Sequence, residues 1–496
     1  MVTGDPKHVF ISYVKEDTPA VEALCRVLDR AGVPYWRDRR ALAPGDAWKT
    51  KIRDAIRSES LVFLACFSTT SVAKPKSYMN EELTLATEEF RMRPPGATWL
   101  IPARLDEVEI PDWDLGGGRT LGDLNYTSLF GEDYAAEAAA LVMRMSSVLG
   151  ITGTSAAQSA EAVAGAAAEQ RPLLMRRATK EMLHDSSKRI ELDDLVLQET
   201  RRIVSAINDP SVMPLSTTGA TEREQIQLLV RRADDLVALV EPLCWSVQVA
   251  ARWSNSDGFT AWGSALRTLT AEAAALASGR SNLIALRSLP ALCLFTTAAI
   301  AAHAAGRWDV LRDLTTLQID ASNGRPDALL NVLGPWTPFD NSDFLPNLLS
   351  RRIGTDQDSA ALATGIGNGS IPRKYTPVSD WLLELLRPVL SEQFATGSEY
   401  ERGFNDAELF LGVLSQDLIS HSDSTWRQNS AWLGRYTWID RHSRQDVVDE
   451  LESVIRSAGE AWPPLQVGLF GGDLDRALEA VADFSVDFKE PQRRRL

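Results

Sequence analysis

The 496-residue chain is 44% hydrophobic and 24% charged and carries a net charge of −15. Its length exceeds what one hydrophobic core usually serves, so two to four domains are expected. The acid excess, with a sequence pI near 5.0, argues against a protein that grips nucleic acid by neutralising phosphates, and the terminal "QRRRL" is too short to change that.

Residues 1–150 alternate strand and helix patterns. His8–Val14, "HVFISYV", reads as a compact apolar strand. Thr18–Gly32 places apolar residues at helical spacing and ends on glycine, a helix stop. "VPYWRD" is a second strand, "LAPGDAW" (Leu42–Trp48) a loop around Pro-Gly, and Trp48–Glu59 an amphipathic helix. Leu61–Phe67, "LVFLACF", is wholly apolar and belongs at the centre of a sheet. "NEELTLATEEFRM" is a further helix, Thr98–Asp106 a fourth strand, and Glu132–Leu149 an Ala-rich closing helix. Apolar strands separated by helices predict a parallel sheet covered on both faces, with ligands outside the carboxyl ends of its strands.

Residues 151–172 are poor in large apolar side chains and rich in Ala, Ser and Gly, which reads as a linker, in part helical. From 173 to 496 long helical patterns dominate: Leu173–Ile207, Thr221–Arg252, Gly258–Ser278, Asn282–Ala305, Trp308–Leu317, Val378–Phe394, Asn405–Leu418 and Gln445–Ala458. The stretch Gly354–Pro372, "GTDQDSAALATGIGNGSIP", reads as a long loop, so a break between two subdomains is placed near 354–376. The fold class expected is therefore an α/β N-terminal domain followed by a mainly α-helical region. The uncharged run Leu289–Gly306 just reaches membrane-spanning length, but Pro290, His303 and the flanking Arg287 and Arg307 favour a buried helix, with His303 a core histidine. Cys25, Cys66, Cys244 and Cys293 are scattered in apolar runs and read as buried free thiols of a reducing cytosol. No hydrophobic leader precedes the first strand, so a cytoplasmic protein without membrane attachment is expected. The histidines show no metal-ligand spacing, and neither a phosphate-binding GxxxxGK[ST] loop nor a GxSxG elbow occurs, so no metal and no bound cofactor is expected.

Six stretches in order carry a resemblance: "HVFISY", "YWRD", "ALAPGDAW", "IRDAIRSESLVFLACFS", "SYMNEEL" and "IPARLD" with "SLFGED". Together they make residues 7 to about 148 resemble the TIR (Toll/interleukin-1 receptor) domain of the bacterial and plant kind, a flavodoxin-like fold. Many TIR domains cleave NAD+ between nicotinamide and ribose with a glutamate four residues after an aromatic and directly before leucine. Tyr78, Glu82 and Leu83 stand in that register. The resemblance thus implies Glu82 as the catalytic carboxylate and NAD+ as substrate. Ser12, Tyr13, Lys15, Asp38 and Tyr78 are the implied substrate-binding residues, and Leu42, Pro44 and Gly45 belong to the BB loop through which such domains associate. Val14 stands where many active relatives have arginine, leaving Lys15 as the nearby cation.

The residues also have plainer readings. Glu81 and Glu82 both suit a helix N-terminus, where carboxylates complement the dipole. Lys15 reads equally as a surface lysine, Asp38 as a loop cap, and Leu42–Gly45 as a surface loop. Two functional classes follow from the resemblance. The first is an NAD+ glycohydrolase giving nicotinamide and ADP-ribose or a cyclic product. It would be activated by self-association into a homo-oligomer and act in bacterial anti-phage defence, with the helical region sensing a phage protein or small-molecule trigger. The second is a non-enzymatic adaptor or scaffold working through TIR–TIR assembly.

Overall fold

The computed structural model describes residues 8–37, 61–94, 98–131, 133–151, 156–214, 221–254, 259–275, 281–320, 326–355, 357–421, 432–439 and 446–493. The readings of Asp38, of the loop with Leu42, Pro44 and Gly45, and of a helix over Trp48–Glu59 fall outside them. The chain divides into two units, Met1–Arg171 and Pro172–Leu496.

In the first unit, alternation of side chains along apolar strands decides the layers. Strand β1 (His8–Ser12) sends Val9 and Ile11 to one face and Phe10 to the other. It pairs in parallel with β2 (Tyr35–Arg37) on one side and β3 (Leu61–Phe67) on the other. β4 (Leu100–Arg104) and the two-residue β5 (Thr127–Ser128) complete a parallel sheet of order β2-β1-β3-β4-β5. Helix α1 (Thr18–Arg30) buries Val21, Leu24, Val27 and Leu28 on the face of Val9 and Ile11. The closing helix, which begins at Tyr134, covers the same face through Ala138, Leu141, Val142 and Met145. After β3 come a single turn, α2 (Thr69–Val72), and α3 (Tyr78–Arg91), whose Met79, Leu83 and Ala86 pack on the opposite face with Phe10, Phe63, Ala65 and Phe67. The closing helix, α4 (Tyr134–Leu149), stops at Gly150, a residue with positive φ.

The segment expected as a linker is helical from Ala156. Helix α5 (Ala156–His184) runs past the division between Arg171 and Pro172, with Ser159 and Ala162 buried in the first unit. Small residues permit this, since alanine favours helix and demands little space.

The second unit is built on α6 (Arg189–Asn208), α7 (Glu222–Trp253), α8 (Thr260–Ala274), α9 (Leu289–Ala304), α10 (Pro377–Leu390), α11 (Gly397–Ser420) and α12 (Leu474–Arg493), with shorter helices between them. Helix α9 is buried on every side, from Leu289 to Ala302. The stretch Ser281–Ala304 is long and apolar enough to cross a membrane, yet 89% of its apolar window is buried inside the protein. It is also interrupted, because Arg287 is 2% exposed and its guanidinium holds the Ile207 carbonyl, Asn208 Oδ1 at 2.6 Å and the Glu272 carbonyl at 2.9 Å. A single apolar cluster extends from Met175 to Phe488. The expected break near 354–376 is accordingly not a boundary, and the expected loop holds a helix at Ser359–Gly367, whose Leu362, Ala363 and Ile366 enter that cluster. The four cysteines are buried and free. Burial pushes the Cys25 thiol up to about 11 and that of Cys244 up to about 12, which keeps both protonated and unreactive.

Candidate functional site at the carboxyl ends of β1 and β3

The strand order places α1, which follows β1, and α3, which follows β3, on opposite faces of the sheet. The connections therefore part between β1 and β3 and leave a crevice at their carboxyl ends, the general ligand position of such sheets. Ser12 is the last residue of β1 and pairs with Ala65. The alternation that turns Ile11 toward α1 turns Ser12 toward α3. Its hydroxyl, 1% exposed, donates to Glu82 Oε2 at 2.6 Å.

Helix α3 presents Glu82 for a local reason. Ser77 is the N-cap and accepts from the Asn80 amide at 3.2 Å, so the helix begins at Tyr78. Met79, Leu83 and Ala86 take the sheet-facing stripe. Glu82, beside that stripe, is half-buried, whereas Glu81 in the first turn is exposed. The two glutamates thus have different surroundings: Glu81 meets solvent near the positive end of the helix, and Glu82 meets β1. Tyr78 lies one turn before Glu82 and is 58% exposed.

The other expected residues divide. Tyr13 is half-buried and packs on the α1 face, away from Ser12 and Glu82. Lys15 is exposed in a turn, Lys15–Asp17, that precedes α1. Val14 is 4% exposed and belongs to the apolar cluster beneath α3, so this position serves the core. The structure brings together Ser12 and Glu82 by direct contact.

Sequence reasoning missed Asp17. It stands at the N-cap position of α1, yet its side chain makes no capping bond. It accepts instead from Ser68 Oγ at 2.7 Å, across the crevice at the end of β3. Burial raises the Asp17 carboxyl above its ordinary value, with the Asp106 and Glu16 charges acting the same way and the Ser68 hydrogen bond opposing them. Asp106, just beyond β4, receives the Thr69 amide at 2.9 Å, and Lys74 meets Glu16 at 2.6 Å. Three side-chain ties, Ser12–Glu82, Asp17–Ser68 and Glu16–Lys74, therefore join the end of β1 and its following loop to the segment carrying Glu82. The only sequence signal for Asp17 was its place after a strand, which equally describes a helix cap. Among the described residues, no group of three or more His, Cys, Asp or Glu side chains could hold a metal ion.

A five-stranded parallel sheet in this order, covered by helices on both faces, is a flavodoxin-like fold. A family model described as the TIR domain matches residues 9–142. The protein is a TIR-domain protein, and the domain occupies the N-terminal unit. No curated protein matches the chain.

Proposed function

We propose that the TIR domain is an NAD+ glycohydrolase with Glu82 as its catalytic carboxylate. The observation that supports this most is the 2.6 Å hydrogen bond from Ser12 to Glu82 at the β1–β3 crevice. It supports the reading by holding a carboxylate of the family register near strand ends of the kind at which such sheets commonly take ligands. Cleavage of the nicotinamide–ribose bond sends its electron pair to the ring nitrogen, and nicotinamide leaves neutral, so no general acid is needed. The anomeric carbon becomes oxocarbenium-like, and a fixed carboxylate stabilises that charge. Water then adds to the carbon and loses its proton, giving ADP-ribose; attack by a nitrogen of the same molecule gives a cyclic product. Tyr78, exposed one turn before Glu82, offers a ring to the nicotinamide or ribose.

In this reading activity requires self-association, and the helical unit senses a trigger in bacterial anti-phage defence. The test is NAD+ consumption by protein forced to cluster, comparing wild type with Glu82→Gln. Full activity in that variant sinks the assignment.

One observation favours the second reading, a scaffold acting through TIR–TIR assembly. Val14 fills the core where active relatives commonly carry arginine, so that cation is lacking. Clustered wild-type protein that leaves NAD+ intact would select the scaffold.

A further inference from the structure

The helical unit buries a carboxylate, that of Glu408. Glu408 lies on α11, is 1% exposed, and is covered by the short segment Trp432–Ile439. That segment is fastened through side chains. The Arg435 amide donates to Glu408 Oε2 at 3.2 Å, its Nε to Asp380 Oδ1 at 3.0 Å and its Nη1 to Asn405 Oδ1 at 3.2 Å. The Tyr436 hydroxyl donates to Asp406 Oδ1 at 2.7 Å, and the Trp438 ring stacks on Tyr375 at 5.1 Å. Trp432, at 0% exposure, fills a socket against Phe295 of α9. Gly434 makes the close approach possible. Its φ is +60°, and a Cβ there would come within 3.0 Å of the Glu408 Cβ.

Two polar atoms are left unsatisfied in this arrangement. Glu408 Oε1 and the Trp432 indole Nε1 are both buried, and neither has a hydrogen-bond partner among the described residues. Each forgoes in the closed state a bond that water would supply in an open one. Among the described residues, the groups facing Glu408 are Ser379 and Asp380 on α10, Tyr400 and Asn405 on its own helix α11, and Arg435 on the segment itself. Arg435 is already engaged by Asp380, so an ionised Glu408 places a second negative charge beside one cation.

We propose that Trp432–Ile439 is a clasp on the helical unit that opens as one piece, and that the charge on Glu408 beneath it sets how readily it opens. Burial, opposed by the Ser379 and Arg435 hydrogen bonds, pushes the Glu408 carboxyl up to about 7 from 4.5. The neutral carboxyl fits beneath the closed clasp, and the carboxylate gains hydration when it opens. Opening uncovers the Trp432 socket together with the Glu408, Asp380 and Asp406 carboxylates that the segment's backbone, Arg435 and Tyr436 hold when closed, an apolar pocket with an acidic edge.

The test is hydrogen–deuterium exchange of the full chain at pH 5.5 and pH 8, corrected for intrinsic exchange. Peptides within 432–439 should show an opening constant roughly 30-fold larger at pH 8, from linkage between a closed carboxyl near 7 and an open one near 4.5. Glu408→Gln, which carries no charge at either pH, should abolish that difference. Arg435→Met, which releases the tie to Asp380, should speed exchange of the same peptides at both pH values. The proposal is overturned if 432–439 exchanges only together with all of α10 and α11, or if its pH dependence survives in Glu408→Gln. Should Glu408→Gln not fold, unchanged exchange in Arg435→Met overturns it equally.

Discussion

Replacing Ser12 by alanine removes one hydrogen bond and little else. The hydroxyl is buried, its neighbour across the sheet is Ala65, and it donates to a carboxylate at 2.6 Å. A hydrogen bond to a charged group contributes about 1.5–3 kcal/mol. Glu82 is half-buried, so water can replace part of the lost interaction and the lower half of that range applies. If the bond holds Glu82 in its reactive position, Ser12→Ala should lower kcat for NAD+ cleavage by about thirteen- to forty-five-fold, at 1.36 kcal/mol per factor of ten. KM should change less, because the serine acts through the carboxylate. Folding should weaken by no more than about 2 kcal/mol, since the change creates little space and water reaches the half-buried Glu82. The assay is steady-state NAD+ turnover by clustered protein beside thermal melting of each variant. A Ser12→Ala enzyme with wild-type kcat, where Glu82→Gln is inactive, would refute the positioning argument and leave the carboxylate to act unaided.

The tie between Asp17 and Ser68 should appear as non-additivity. Asp17→Ala and Ser68→Ala break the same 2.7 Å bond, so the double variant should melt about 1 kcal/mol more stably than the sum of the single losses predicts. Independent effects in a double-mutant cycle would count against the tie. Gly412→Ala should destabilise the helical unit by about 1–3 kcal/mol, because a Cβ there meets the Trp432 carbonyl and the Phe484 ring, each at 2.4 Å. Urea unfolding followed by tryptophan fluorescence reads this, and a wild-type midpoint contradicts it. Glu408 gives the helical unit a pH dependence of definite sign. Its folded value is raised, so its contribution is complete below about 4.5 and is lost as pH rises through about 7. The full swing is about 3 kcal/mol, and the stability difference between wild type and Glu408→Gln should therefore fall across that window. A difference that stays flat with pH contradicts it.

The α/β unit was legible because its strands are short apolar runs and its helices begin and end on ordinary signals. Leu61–Phe67 and Thr18–Arg30 are cases where burial and local preference agree. The strand Thr127–Ser128 was not legible: two residues carry no periodicity, and pairing with β4 alone defines it. In the helical unit, the reading of Asn405–Leu418 began eight residues late, because "GSEY" looks like a turn, while Thr396 caps the helix from its Glu399 amide. Ser359–Gly367 was hidden by its glycines, and its burial among the other helices comes from tertiary packing. At the site, Ser12 was legible from its place at the end of a strand and Glu82 from its family register. Asp17 was not, since a carboxylate after a strand reads as a helix cap and its partner Ser68 is 51 residues away. Glu408 was unreadable for a like reason. It looks like a polar position on an amphipathic helix, and only the approach of Gly434 and Arg435 buries it.

The catalytic role of Glu82 is tested by comparing it with the glutamate beside it. Clustered wild type, Glu81→Gln and Glu82→Gln are incubated with NAD+, and nicotinamide release is followed, with melting curves confirming the fold. Glu81 is exposed at the helix start and Glu82 is bonded to Ser12. A catalytic Glu82 predicts that Glu81→Gln retains activity within about threefold and that Glu82→Gln loses at least about a hundredfold. Equal activity in all three proteins, or loss confined to Glu81→Gln, would contradict it.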